Sequence, residues 1–245
     1  MAFSVVIPAR FQSSRLPGKP LLDLGGLSML QRVYQQACKS DASQVYIATD
    51  HADILYHAKE FCEQVIMTRQ DHSTGTDRLQ EVAQYLSLAD DHIIVNVQGD
   101  EPFIDAVSLS KLIDVFKKDT KQEIDLASLK VQITKKEDIE NPNNVKVITD
   151  INNLAIYFSR SVIPYYRDKD LAVKYYKHKG VYAFRKQALI DFYNTPMTPL
   201  EAAEKIEAIR YQEIGKKIKM VETAVEAIGI DTPEDLEKAK KYLNF

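Results

Sequence analysis

Short β-branched runs alternate with amphipathic helical patterns through the first half of the chain, and this alternation restricts the architecture more than any other feature. Phe3 to Pro8, Val45 to Thr49, Gln64 to Met67 and Ile93 to Val97 read as buried strands, each bounded by Gly, Pro, Asp or Asn. Between the first two, Leu30, Val33, Tyr34, Ala37 and Cys38 fall at i, i+3, i+4, i+7 and i+8, which is one apolar helix face. Helices also fit Ala52 to Phe61, Thr76 to Tyr85 and Val107 to Lys118. Strands spaced by helices need right-handed crossovers, so the product is a mostly parallel sheet flanked by helices on both faces. Ligands of such sheets sit at the carboxyl ends of the strands, where the strand order reverses.

From about Leu126 the rhythm changes. Extended segments at Leu126 to Ile133, Val145 to Thr149, Leu154 to Phe158 and His178 to Phe184 precede helices at Lys186 to Tyr193, Leu200 to Ile214 and Thr232 to Tyr242. This half reads as a smaller mixed or antiparallel sheet with helices, suited to a lid and a dimer surface. With 245 residues, no internal repeat and no Gly/Ser linker, the expectation is a single α/β domain whose halves, 1–125 and 126–245, share one sheet.

Composition removes several function classes. Thirty-two Lys and Arg against 35 Asp and Glu give a net charge of −3, without the basic excess that neutralises a nucleic-acid backbone. Cys38 and Cys62 lack a CxxC or a His-rich neighbour, which points to reduced thiols and not to a disulfide framework or zinc. The N-terminus enters an apolar run at once, and no stretch reaches the roughly 18 apolar residues of a membrane span. The expectation is a cytoplasmic protein with a small-molecule substrate, no nucleic acid and no membrane.

After the first strand, Arg10, Arg15 and Lys19 stand in a ten-residue loop without an acid. Backbone N–H groups, two guanidinium forks and an ammonium suit a triphosphate and stabilise a leaving pyrophosphate. The alternative is a solvated surface loop of exposed cations. It is not a Walker A loop, since Pro20 follows Lys19 where Ser or Thr should hold magnesium, and no GxGxxG occurs anywhere. Asp100 ends the fourth strand in a Gly-Asp-Glu-Pro turn, and Asp231 precedes the last helix. Magnesium takes one or two carboxylates and completes its shell with phosphate and water, so two distant acids can form such a site. The alternatives are a plain turn at Asp100 and, at Asp231, a helix entry in which Thr232 and Asp235 form a capping box.

The run VVIPARFQSSRLPGKPL resembles the N-terminal signature of 3-deoxy-manno-octulosonate (Kdo) cytidylyltransferases. Further motifs of that family follow in order: ATDH (Ala48 to His51), MTRQDHSTGTDR (Met67 to Arg78), NVQGDEP (Asn96 to Pro102), NVKVITD (Asn144 to Asp150), YFSRSVIP (Tyr157 to Pro164), KHKGVYAFR (Lys177 to Arg185) and IDTPEDLE (Ile230 to Glu237). The resemblance implies a Rossmann-like nucleotidyltransferase fold and a homodimer. It also implies transfer of CMP from CTP to the anomeric 2-hydroxyl of Kdo, giving CMP-Kdo and pyrophosphate for lipopolysaccharide biosynthesis. It places the nucleotide in the 1–125 half, with Pro8, Ala9, Arg10, Arg15, Lys19, Thr74, Gly75, Arg78 and Asp100 as its contacts. It gives catalytic roles to Lys19, Arg10, Arg15, Asp100 and Asp231, with the two aspartates holding catalytic Mg2+. Gln98, Arg160, His178, Tyr182 and Glu207 fall to the acid sugar.

The base turn and His178 each have a plainer rival. Thr74 to Arg78 can be a simple N-cap with an exposed Arg78. His178 can be a satisfied structural histidine, although strand alternation puts it on one face with Gly180 and Tyr182. The chain departs from the usual family pattern at Lys179, expected to point to solvent, and at Ala208, which replaces an amide in the LEQLR-type motif. These departures leave another acid sugar, such as 8-amino-Kdo or a sialic-type acid, as the alternative acceptor. A nucleotide-binding regulator without turnover is the alternative from another class, and it would not need both Asp100 and Asp231. No side chain presents itself as general base.

Overall fold

The computed structural model of the chain describes residues 1–12, 16–72, 74–168, 173–224, 229–230 and 232–243. Two site residues expected from sequence, Arg15 and Asp231, lie outside the described residues. The first strand, β1 (Phe3–Ala9), is buried at every residue except the half-buried Pro8, as a strand covered on both faces must be. It is followed by a 3-10 turn (Lys19–Leu21), α1 (Met29–Ala37), β2 (Gln44–Thr49), α2 (Ala52–Lys59), β3 (Val65–Met67), α3 (Gly75–Tyr85), β4 (Ile93–Asn96) and α4 (Ala106–Lys118). The chain continues through β5 (Leu126–Ile133), α5 (Lys136–Glu140), β6 (Lys146–Thr149), β7 (Ala155–Ser159) and β8 (Tyr175–Arg185). It ends with α6 (Lys186–Tyr193), α7 (Pro199–Glu204), α8 (Glu207–Glu213), β9 (Ile218–Glu222) and α9 (Pro233–Tyr242). No helix among the described residues is long and apolar enough to cross a membrane.

Two compact units emerge, Met1–Ser110 with Ala227–Phe245, and Lys111–Glu226, with the division inside α4. In the first unit β1 pairs in parallel with β2 on one side and β4 on the other, and β2 pairs in parallel with β3. The chain therefore winds outward through β2 and β3, then crosses back to add β4 beside β1. Strand order reverses between β1 and β4, so the loops leaving these two strands flank a crevice of the kind that binds ligands. Behind them, Leu24, Met29, Ile230 and Ala239 form a buried cluster that fastens α9 to this unit.

In the second unit β5 lies between β8, antiparallel, and β9, parallel, while β6 pairs antiparallel with β7 and at one position with β8. The sheet is mixed, as expected, but several elements differ from the sequence reading, among them the short α5, for which the sequence reading has no counterpart. The helix expected over Leu200 to Ile214 is two short helices, because Lys205 takes a left-handed φ of 54° and its N–H closes onto the Glu201 carbonyl at 2.7 Å. The strand β9 was not expected at all.

Candidate active site

The loop leaving β1 is folded back on itself. Gly18 adopts φ 65°, a conformation that suits glycine, and its N–H donates to the Phe11 carbonyl at 3.1 Å. The Phe11 ring stacks on His51 with centroids 4.0 Å apart and planes at 17°. His51 is fixed in turn as the N-cap of α2, its Nδ1 accepting from the Asp53 N–H. Neither Phe11 nor His51 was singled out from sequence; the ATDH motif that contains His51 was the available signal. The closure delivers Lys19 to the 3-10 turn. There it is 9% exposed, with Nζ 2.7 Å from Asp100 Oδ2. Lys19 thus departs from the solvated-loop alternative, because the turn buries its stem and the carboxylate takes its charge, whereas Arg10 is exposed.

Asp100 arrives from the loop after β4. A Cβ on Gly99 would lie 3.0 Å from the Pro8 carbonyl, so only glycine lets the β4 loop approach the end of β1 this closely. The Asp100 carbonyl accepts the Ile230 N–H at 3.1 Å, which draws the segment before α9 to the same place. Thr232 caps α9, accepting from the Asp235 N–H at 3.2 Å while Asp235 accepts the Thr232 N–H at 3.0 Å. The capping box expected from sequence is therefore formed. Among the described residues no three His, Cys, Asp or Glu side chains converge on a metal position. One hard carboxylate at Asp100, beside the Lys19 ammonium, fits an ion that draws its other ligands from phosphate and water.

The turn before α3 lies beside the same strand end. A Cβ on Gly75 would stand 3.6 Å from Pro8 Cγ and 3.8 Å from Gln98 Oε1, so Pro8, Gly75 and Gln98 meet. Thr74 caps the helix in a reciprocal box with Asp77. Arg78 is not the exposed residue of a plain cap: it is 3% exposed, with Nη2 2.7 Å from Asp50 Oδ2 and Nη1 donating to Thr68 Oγ1. Sequence reasoning also missed the fastening of the stretch before this turn. The Glu81 carboxylate contacts the His72 ring and accepts the Arg69 N–H at 3.1 Å.

In the second unit His178 and Tyr182 are neighbours on β8, with ring centroids 5.3 Å apart. Ser128 Oγ lies 3.0 Å from His178 Nε2 and 2.8 Å from the Val181 carbonyl. Burial lowers the His178 pKa to about 3, so the ring is neutral. Burial, and secondarily the Glu207 carboxylate, push the Tyr182 hydroxyl well above the usual tyrosine range. Lys179 does not point to solvent; it is 5% exposed, since both faces of β8 are covered and a register shift opposite Ser128 and Leu129 interrupts the alternation. Ala208 is wholly buried in α8, next to the half-buried Glu207 that opens the helix. Arg160 is tied down through Glu204, Pro142 and the Lys146 ammonium.

Residues 4–218 match the cytidylyltransferase family model. The 3-deoxy-manno-octulosonate cytidylyltransferase of Christiangramia forsetii is 53% identical over 240 residues, covering 98% of this chain and 96% of that protein. The enzyme of the same name from Flavobacterium johnsoniae is 50% identical over 244 residues, covering 99% of each. The solved structure of CMP:2-keto-3-deoxy-manno-octonic acid synthetase complexed with CTP superposes with a TM-score of 0.93 at 39% identity, covering 100% of this chain and 99% of that one. A cationic loop closed on a strand-end aspartate, on a fold shared over its full length with such enzymes, makes this chain a member of the cytidylyltransferase family.

Proposed function

We infer that the chain transfers the cytidylyl group of CTP to Kdo, releasing pyrophosphate. The observation that carries this reading is the Lys19–Asp100 pair at the reversal of strand order, where a phosphate-binding cation and a carboxylate stand 2.7 Å apart. The anomeric 2-hydroxyl of the acceptor attacks the α-phosphorus in line, the bond to the bridging β-phosphate oxygen breaks, and pyrophosphate leaves. Such transfers depend on positioning and charge neutralisation more than on covalent help from the protein. Arg10, Arg15 and Lys19 meet the triphosphate charge, and Lys19 is held in place by Asp100 before the nucleotide competes for it. The turn Thr74–Gly75 meets the cytosine, while buried Arg78 sets that turn through Asp50. Gln98, Arg160, His178, Tyr182 and Glu207 take the acid sugar, with the neutral His178 ring able to hydrogen-bond a sugar hydroxyl.

Magnesium belongs to the same proposal: Asp100 and Asp231 would hold it, and the ion would neutralise phosphate charge and lower the pKa of the acceptor hydroxyl. A homodimer is supported by the exposed apolar side chains Ile151, Ile156 and Tyr165 of the second unit. Dependence on CTP supports a cytoplasmic setting, where nucleoside triphosphates are maintained.

The test measures pyrophosphate release with each of the four ribonucleoside triphosphates against Kdo, 8-amino-Kdo and a sialic acid, with magnesium or with excess chelator. The expected result is turnover with CTP and Kdo alone among the unsubstituted sugars, abolished by chelator and by Asp100→Asn. Efficient use of another triphosphate, or a higher kcat/KM for a sialic acid, overturns the assignment. Light scattering showing a monomer at micromolar concentration overturns the dimer.

A further inference from the structure

Arg160 stands at the end of β7, and an unusual amount of polar structure is spent on holding it. Its N–H donates to Glu204 Oε2 at 2.9 Å and its carbonyl accepts from Lys146 Nζ at 2.6 Å. Its side-chain Nε donates to the Glu204 carbonyl at 2.7 Å, and Nη1 donates to the Pro142 carbonyl at 3.0 Å. Residue 160 is thus fixed through both backbone polar groups and two guanidinium nitrogens. The other Glu204 oxygen accepts Ser159 Oγ at 2.6 Å, so the carboxylate is committed to this brace. Lys146 sits opposite Ser159 in the β6–β7 ladder and has no exposed surface, and among the described residues its ammonium donates to the Asn141 and Arg160 carbonyls alone.

Two features separate this network from ordinary packing. A buried ammonium that hydrogen-bonds carbonyls and no carboxylate is expensive, and an apolar side chain in the β6–β7 ladder would serve folding better. Next, the guanidinium is gripped by neutral carbonyls, which orient it without cancelling its charge. Nη2 has no partner among the described residues. Lys146 and Arg160 carry two positive charges against the single negative charge of Glu204, leaving one charge for an anion.

We propose that Lys146 and Glu204 are positioning residues that pre-orient the Arg160 guanidinium for the carboxylate of the acid-sugar acceptor. The proposal rests on the reading of Arg160 as a sugar contact. A guanidinium aligned beforehand loses little side-chain freedom on binding, whereas a released one must be ordered by the substrate. Loss of the brace therefore weakens acceptor binding and leaves nucleotide binding alone.

The experiment compares Lys146→Met, Glu204→Gln, Arg160→Ala and the double variant Lys146→Met/Arg160→Ala, measuring KM for Kdo, KM for CTP, kcat and Tm in the full-length enzyme. Expected are a roughly tenfold rise in KM for Kdo with Lys146→Met and with Glu204→Gln, and a KM for CTP within about twofold of the parent. The double variant should be no worse than Arg160→Ala alone, since the brace acts only through that guanidinium. If Arg160→Ala raises the KM for Kdo but both brace variants leave it unchanged, the positioning role is wrong while the sugar contact stands. If Arg160→Ala itself leaves it unchanged, the sugar contact fails and the brace with it. Should Lys146→Met not fold, Glu204→Gln, which keeps size and one accepting oxygen, decides the matter by the same ratio of KM values.

Discussion

Replacing Glu201 by Gln tests what holds the two short helices that present Glu207. Arg210 on α8 and Glu201 on α7 form a two-point ion pair, Nε to Oε2 and Nη2 to Oε1, each at 2.6 Å. The side chains are 7% and 3% exposed, the guanidinium lies 3.8 Å from the Phe192 ring centroid, and Nη1 donates to the Thr195 carbonyl at 3.1 Å. Helices of 6 and 7 residues are marginal by themselves, so tertiary ties of this kind decide whether they form. Removing one charge from a buried pair costs about 3–5 kcal/mol, because the other charge stays buried without compensation. At about 2–4 °C per kcal/mol for a chain of this length, Glu201→Gln should lower Tm by roughly 6–20 °C. The double variant Glu201→Leu/Arg210→Met replaces both charges with apolar groups and should recover most of that loss. Calorimetry or far-UV circular dichroism on the parent and both variants suffices. A Tm within about 2 °C of the parent for Glu201→Gln, or a double variant no more stable than the single one, would refute the reasoning.

Lys19→Gln should lower kcat/KM for CTP by about a hundredfold or more, the scale set by losing one preorganised donor to developing phosphate charge; near-parental pyrophosphate release from the folded variant counts against the phosphate role. For His178 the folded-state pKa is depressed to about 3, below the ordinary histidine value, so the unfolded chain binds the extra proton. The stability it contributes is present above pH 6.5 and is lost as pH falls towards 3, with about 2 kcal/mol gone by pH 5. Urea titrations of the parent and of His178→Gln between pH 7.5 and 5 should show the shallower slope in the variant; parallel slopes would contradict it. Gly99→Ala should destabilise the chain by about 1–3 kcal/mol through the close approach to the Pro8 carbonyl, and a chemical denaturation midpoint equal to the parent's would show that the strand end yields.

The first half of the fold was legible because its strands are uninterrupted apolar runs closed by turn residues, and because the strand-helix rhythm demands parallel pairing through right-handed crossovers; the strand order itself was not legible. Three later features resisted. β9 carries Lys219 and Glu222 among only three apolar residues, too short a run to stand out from a helix-to-helix link. The break at Lys205 has no Gly or Pro to announce it and arises from a left-handed cap that only the packed helix pair favours. Lys179 was read from the period-2 rule, which assumes one wet face, whereas β8 is covered on both. At the candidate site, the motifs singled out Lys19, Asp100 and Thr74 to Gly75, which the fold brings to the ends of β1 and β4. They could not reveal that Lys19 is buried against Asp100 or that Arg78 is occupied with Asp50. Those are pairings between segments 81 and 28 residues apart, and spacing along a chain does not encode them.

The unit that holds Asp100 is discontinuous, since its last portion is translated only after the whole of Lys111–Glu226. At roughly 5–20 residues per second, a nascent chain carries the first 110 residues for on the order of ten seconds before the closing segment emerges. Through that interval Leu24 and Met29 lack the Ile230 and Ala239 side chains that cover them, and the Phe103 ring lacks the Tyr242 edge that meets it at 5.0 Å. The ribosome therefore releases an apolar surface awaiting its own tail, which makes the unfinished chain a natural client for holdase chaperones. A stalled or truncated product would meet the quality-control machinery with the crevice beside β1 and β4 still uncovered on the Asp100 side.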